Sequence, residues 1–505
     1  MRVKGCNRHP TCITKGIGMK FRLAILCVLS MFILRPALAE PKVGKPANVE
    51  LTIYNQNFAL VKEERDMTLD KGINSIPVQD VAATIRPSTV AFKSKSDPNS
   101  VVVREQNYQY DLINPATIID KSVGKKVVIR RALADRIEEV EGVILSSGTQ
   151  QGGYSPTRVV IQTKDGILIN PAGEIHVLEM PKGLIPRPTL MWKLETTKAG
   201  PQKTEISYLA DRMTWIADYV AVVDPDDKFV DLTGWVTLTN NSGTGYENAV
   251  LNLMAGDVNV VQDRKDRLEI GYADTYGAKR VLLDDQFKEK SFFEYHLYTL
   301  AGKTTVNDKE QKQISLLTAE KIPAKKTYLY DGRKAWWNTY RNDRGYRPGE
   351  SYSVSPNKKV SIFLELKNDK ENNLGMPLPK GTMRVYKQEA GTNRHFVGED
   401  TIDHTPKDEK VRLYLGDAFD IVGTHTRTNF VNIAANVIEE SFEISLRNHK
   451  DAPVSIAVID HHFGDWKVTT SSHKAFKKDA STLEIPVEVP KDGEVKVTYT
   501  VRTTW

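Results

Sequence analysis

Apolar and polar side chains alternate with a period of two over most of this chain. Val360, Ile362, Leu364 and Leu366 alternate with Ser361, Phe363, Glu365 and Lys367. Val495, Val497, Tyr499 and Val501 alternate with Lys496, Thr498, Thr500 and Arg502, and Phe442, Ile444 and Leu446 with Glu443, Ser445 and Arg447. Successive side chains of a strand point to opposite faces, so each run buries one face and solvates the other. Turn chemistry punctuates the runs at Asp224-Pro225-Asp226-Asp227, Asn240-Asn241-Ser242-Gly243 and Lys491-Asp492-Gly493. Strands at this spacing, with no long helices between them, predict an all-β protein of sandwiches or small barrels, built largely from antiparallel pairs.

Three β regions follow the leader. Residues 40–195 form an N-terminal β domain. Inside it, short strands at 126–130, 142–145, 158–162 and 166–169 have the spacing of an SH3-like small barrel. Residues 196–350 form a middle β domain with a hairpin of 214–223 and 229–239. Residues 351–505 carry about eight strand patterns, enough for an immunoglobulin-like β-sandwich.

The leader changes the composition. A basic start at Met19-Lys20-Phe21-Arg22 precedes a twelve-residue uncharged run at 23–34, and Ala37-Leu38-Ala39 supplies the small residues of a cleavage site. Residues 1–39 read as a secretory signal too short to span a membrane, with Met19 a candidate true start. The whole chain carries 70 basic and 64 acidic residues, and seven of the basic ones lie in 1–39. The remaining 466 residues therefore hold 63 against 64, a net of −1, which gives no electrostatic case for nucleic-acid binding. Cys6, Cys12 and Cys27 also lie in the leader, so the processed chain can form no disulfide, thiol nucleophile or Cys-ligated metal site. An exported protein, periplasmic or extracellular, with no transmembrane segment after cleavage is expected.

Several phrases occur together: 49–60 with its Ile-Tyr-Asn-Gln-Asn-Phe-Ala-Leu, 215–219, 232–240 followed by YENAVLNLMAGDV at 246–258, GMPLPKGTMRVY at 375–386, GEDTIDHTP at 398–406, and the closing 499–505. In these the chain resembles the secreted, mostly bacterial family carrying the domain numbered 4139 among domains of unknown function, to which the mucoidy-inhibitor-type proteins are related. The resemblance covers most of the chain after the leader. It implies a β-rich exported protein and brings no catalytic residues. Some relatives carry a long coiled-coil insertion, and no heptad run is present here.

Chemistry-bearing motifs are few. Leu300-Ala301-Gly302-Lys303-Thr304 resembles the tail of a phosphate loop, but Leu297 stands where that loop needs glycine, and a turn is expected. Asp460-His461-His462 is the best metal candidate, although adjacent imidazoles on a strand face opposite ways; His395, His404 or His425 would have to join one of them. No G-x-S-x-G elbow marks a nucleophile, and Ser472-His473 reads as a solvated strand end. Asp224, Asp226 and Asp227 match a calcium loop only in composition. The compositional anomaly is 328–352, where seven of 25 residues are aromatic (Tyr328, Tyr330, Trp336, Trp337, Tyr340, Tyr346, Tyr352) and Arg333, Arg341, Arg344 and Arg347 are interleaved. Rings beside arginines suit partner hot spots and sugar stacking. Trp336, Trp337, Tyr340, Tyr346, Arg341 and Arg344 are the candidate ligand-binding set. The competing reading has the rings clamping the loop to the sandwich, with the arginines at their polar rims.

The functional expectation is a non-enzymatic envelope-organising or partner-binding protein without a cofactor, its partner an envelope protein or glycan. The alternatives are a secreted hydrolase of envelope polysaccharide or peptide, and a carbohydrate-binding module using the aromatic loop.

Overall fold

The computed structural model describes residues 43–133, 136–148, 159–260, 286–334, 357–389, 391 and 393–505. The leader 1–39 lies outside them. Lys42–Trp505 forms one compact unit. The protein is all-β: strands fill most of the described chain, and the longest helix among the described residues is Pro115–Asp120. Among the described residues no helix is long and apolar enough to cross a membrane.

A seven-stranded sheet joins distant parts of the chain. Ala47–Tyr54 pairs antiparallel with Phe58–Leu69 and, on its other side, parallel with Tyr246–Ala255, from Glu50 opposite Val250 to Tyr54 opposite Met254. Leu51, Ile53, Leu251 and Leu253 point inward and are fully buried. Each such side chain contributes about 1.5–3 kcal/mol by leaving water.

A second row of strands faces the same core. In spatial order it runs Arg394–Ile402, Gly381–Gln388, Met213–Val223, Phe229–Asn240, Glu310–Asp331, Lys359–Lys367 and Lys410–Ala434. The hairpin expected at 214–239 is present in antiparallel register, from Met213 opposite Asn240 to Val223 opposite Val230. The row curls until its ends meet. The Tyr414 N–H donates to Asp400 Oδ2 at 2.8 Å. Gly398, at φ +153°, lies so near the other strand that a Cβ there would sit 2.8 Å from the Leu415 carbonyl oxygen. Trp215, Tyr219, Leu232, Leu364, Met383 and Leu413 share the enclosed core.

Three of these strands do not stop at that core. Tyr328 and Tyr330 at the end of Glu310–Asp331, Val360 at the start of Lys359–Lys367, and Ile421 in Lys410–Ala434 enter a second core. There they meet Val437–Asn448, Val454–His461, Thr482–Val489 and Gly493–Thr504 around Phe442, Trp466 and Tyr499.

The segment read as short strands forms a separate five-stranded sheet: Glu174–Val177, Lys126–Ala132, Ile137–Ser146, Val160–Thr163 and Gly166–Ile169 in spatial order. It has its own small core of Val127, Ile129, Ile144, Val159 and Ile161. Leu300–Thr304 is not a turn. It lies within the strand Tyr295–Val306, where the pairing register slips and Gly302 at φ +87° provides the kink. Backbone N–H groups and lysines hold the Asp224–Asp227 turn. Asp224 Oδ1 accepts from the Lys228 and Phe229 N–H groups, and the Asp227 carboxylate pairs with Lys326 and Lys387.

Candidate functional site

The aromatic-rich segment leaves the second core at Lys334 and returns at Asn357. Trp336, Trp337, Tyr340, Arg341, Arg344 and Tyr346 lie outside the described residues. The neck is described. The Tyr330 hydroxyl donates to the Asn357 carbonyl at 2.7 Å, and the Asn357 N–H donates to the Gly332 carbonyl at 2.9 Å. Tyr330 is fully buried, and its ring lies against Gly423, where a Cβ would come within 2.1 Å of Cε2. The two ends of the segment are thus stapled to each other and to the strand Lys410–Ala434.

Beneath the neck lies a buried polar network. Arg333 is 6 % exposed and donates from Nε to Asp460 Oδ1 at 2.6 Å. It also donates to the His461 carbonyl, and its guanidinium stacks 4.9 Å from the centre of the Phe442 ring. Asp460 accepts three more hydrogen bonds: from the His461 N–H at 2.9 Å, from His425 Nε2 at 3.3 Å and from the Tyr499 hydroxyl. Burial alone would raise its pKa, but Arg333 and His425 outweigh burial and hold the carboxyl well below the usual range. Burial pushes His462 down to about 3 and Tyr499 well up, so both stay neutral at ordinary pH.

The histidines therefore meet only in part. His425 joins Asp460, and His462 Nε2 stands 3.8 Å from the same carboxylate. His461 turns the other way, with Nε2 2.9 Å from Asp331 Oδ2. His395 sits beside Glu389, and His404 contacts Asn55 and the Lys380 N–H, both on other parts of the surface. Arg333 occupies the place a cation would take against Asp460. Among the described residues no group of three or more His, Cys, Asp or Glu side chains fits a metal ion. Arg333 belongs to this network and also lies over the Phe442 ring. The residues Arg333, His425, Asp460 and Tyr499 act as a lock on the neck, since all are buried.

The exposed chemistry lies on the outer surface where the curled row closes. Phe396 is 56 % exposed and meets Tyr386 edge to face at 5.7 Å. On the facing strand the Tyr414 ring lies 5.6 Å from that of Phe363, and the Arg412 guanidinium stacks 4.0 Å over Phe363 while pairing with Glu365 at 3.2 Å. The Tyr414 hydroxyl donates to Asp417 Oδ1 at 3.1 Å. Further along the same strand the register slips between Asp417 and Val422, opposite Ser361 and Lys359, and this bulge carries Phe419 at 95 % exposure. Bulges re-aim side chains. The bulge is also where the aromatic-rich segment returns: Lys359 pairs with Asp417 at 3.2 Å, and the Gly423 N–H donates to the Lys358 carbonyl at 3.0 Å.

None of these strip residues stood out in the sequence. Phe396, Tyr414 and Phe419 are single aromatics 18 and five residues apart, and only the closing of the row gathers them. The one local signal is an aromatic between acidic neighbours at Asp417-Ala418-Phe419-Asp420. Compared with protein-family models and with curated proteins, the chain finds no match.

Proposed function

We propose that this is an exported, envelope-associated binding protein that presents aromatic side chains from a rigid strand system. The observation that carries the reading is the exposed strip of Phe396, Tyr414 and Phe419 beside the stapled neck of the aromatic-rich segment. Exposed rings with a stacked arginine are the residue types that dominate partner hot spots, and they keep their conformational cost low when the strands beneath are fixed. The resemblance to the domain 4139 family implies export and adds no activity or partner of its own. The partner is an envelope protein or glycan.

The test uses residues 42–505 as bait for envelope extracts and glycan arrays. Two variant sets are compared with the parent: Phe396→Ser with Phe419→Ser, and Trp336→Ala with Trp337→Ala. The expected result is one ligand retained by the parent and lost by a variant whose denaturant midpoint is unchanged. Substitutions at the exposed Phe396 and Phe419 should shift stability by no more than about 0.5 kcal/mol. Retention unaltered in both sets would remove the reading. For export, intact mass from the native host should begin at Glu40, and a soluble chain beginning at Met1 or Met19 would overturn that part.

A further inference from the structure

The three histidines of the buried network differ in what faces them. His425 Nε2 lies 3.3 Å from Asp460 Oδ2 and His461 Nε2 2.9 Å from Asp331 Oδ2, so a proton on either ring meets a carboxylate. His462 has no such place. Its Nε2 is buried 3.8 Å from Asp460 Oδ2 and has no hydrogen-bond partner among the described residues. That carboxylate is already engaged by Arg333, His425 and Tyr499. The neighbouring strands bring no free carboxylate. The Trp466 ring lies 4.9 Å away and carries the Lys477 ammonium, and Phe442 and Tyr499 pack at 6.1 and 6.4 Å. Glu440, buried on the strand of Phe442, is paired with Arg427 at 3.1 Å. A second positive charge beside the Arg333 guanidinium is therefore opposed by burial and by like charge, and His462 stays neutral with its pKa near 3.

Arg333 is also the one partner of Asp460 that no strand ladder holds. His425, Asp460, His461 and Tyr499 lie within paired strands, whereas Arg333 follows the end of Glu310–Asp331, in the neck. Withdrawing Arg333 leaves Asp460 without its cation. A shift of about 1 Å then brings His462 Nε2 to hydrogen-bond distance of Oδ2. A proton on His462 restores the charge that the guanidinium took away. The exchange takes up one proton from solvent and leaves the site with one cation against Asp460, as before. We propose that the neck is an acid-sensitive latch, in which protonated His462 replaces Arg333 as the partner of Asp460 and residues 332–334 are released from the body. With the His462 pKa near 3 when latched and no lower than its ordinary 6.5 beside a freed carboxylate, the opening equilibrium rises about 25-fold or more from pH 7 to pH 5.

Hydrogen exchange of residues 42–505 at pH 7 and pH 5, corrected for the intrinsic rate, tests this at the Asn357 amide, which bonds to the Gly332 carbonyl in the latched neck. The expected result is a loss of protection of about 25-fold or more at pH 5, while the amides of Gly493–Thr504 stay protected. His462→Gln should remove the pH dependence. Arg333→Gln gives a second reading: the neck should exchange fast at both pH values, because there is no guanidinium left to displace. Where His462→Gln does not fold, the loss of pH dependence in Arg333→Gln decides. Equal protection of the parent at both pH values overturns the proposal. So does a fall that persists in His462→Gln, which would assign the proton to His425 or His461. A fall that comes only together with Gly493–Thr504 is global acid unfolding and overturns it as well.

Discussion

Replacing Asp460 by Asn keeps the shape of the buried network and removes its charge. The Asn carbonyl can still accept from Arg333 and the His461 N–H, but its amide would then face the His425 and Tyr499 donors. Arg333 would keep a full charge in a site only 6 % exposed. Removing one partner of a buried pair costs about 3–5 kcal/mol. Coulomb's law agrees in scale, giving about 4 kcal/mol for unit charges some 4 Å apart at an effective dielectric near 20. Arg333→Met should cost a similar amount, since the carboxylate loses its cation and keeps only His425, Tyr499 and one N–H. The double variant leaves no charge behind, so it should be more stable than the sum of the single losses implies, with a coupling of about 2 kcal/mol or more. Urea midpoints of the four proteins measure this, and hydrogen exchange across Val454–His461 localises it. Additive losses, or single variants within about 1 kcal/mol of the parent, would refute the claim that this ion pair is the lock on the neck.

Two further outcomes follow from the same region. His462 is held neutral with its pKa near 3, whereas in an unfolded chain it titrates near 6.5. Between those values the unfolded state binds a proton that the folded state refuses, so stability falls as pH drops, by up to about 1.4 kcal/mol per unit. His462→Asn should flatten that slope between pH 7 and 5 in denaturant midpoints; an unchanged slope would show that His462 charges in the folded protein. Asp460, depressed below its ordinary value, adds its own loss only in more acid solution. Gly423→Ala should displace the Tyr330 ring, break its bond to Asn357 and cost about 1–3 kcal/mol as an overpacked site. Trypsin should then cut faster at Arg333, Lys334 and Lys358, and parental cleavage rates would argue against the staple.

Local pattern revealed the strands and little of their company. The strand Gly166–Ile169 and the hairpin through residue 223 were legible because alternation and turn residues are local signals. The parallel pairing of Ala47–Tyr54 with Tyr246–Ala255 was not, since nothing in either strand names a partner about 200 residues away. The lock was half visible. Asp460-His461-His462 reads in sequence as a metal candidate, but the cation that meets Asp460 is Arg333, which in sequence belongs to a loop crowded with other arginines. A buried ion pair across 127 residues leaves no spacing rule to read. The exposed strip had still less signal, because it arises from the closure of a row of strands and the shape of one bulge.

The three strands that pass from one core into the other make the molecule indivisible along its length. A polypeptide beginning at residue 351 would lack Tyr328 and Tyr330, and one ending at residue 350 would lose Leu364, Leu366, Val411 and Leu413 from the core it keeps. Neither half could close its interior with what remained. Tension applied at Trp505 would reach the neck of the aromatic-rich segment through continuous peptide bonds and hydrogen-bonded ladders, without a linker to absorb it. Strands shared in this way make the two cores strain together under a pull, rather than letting one swing against the other.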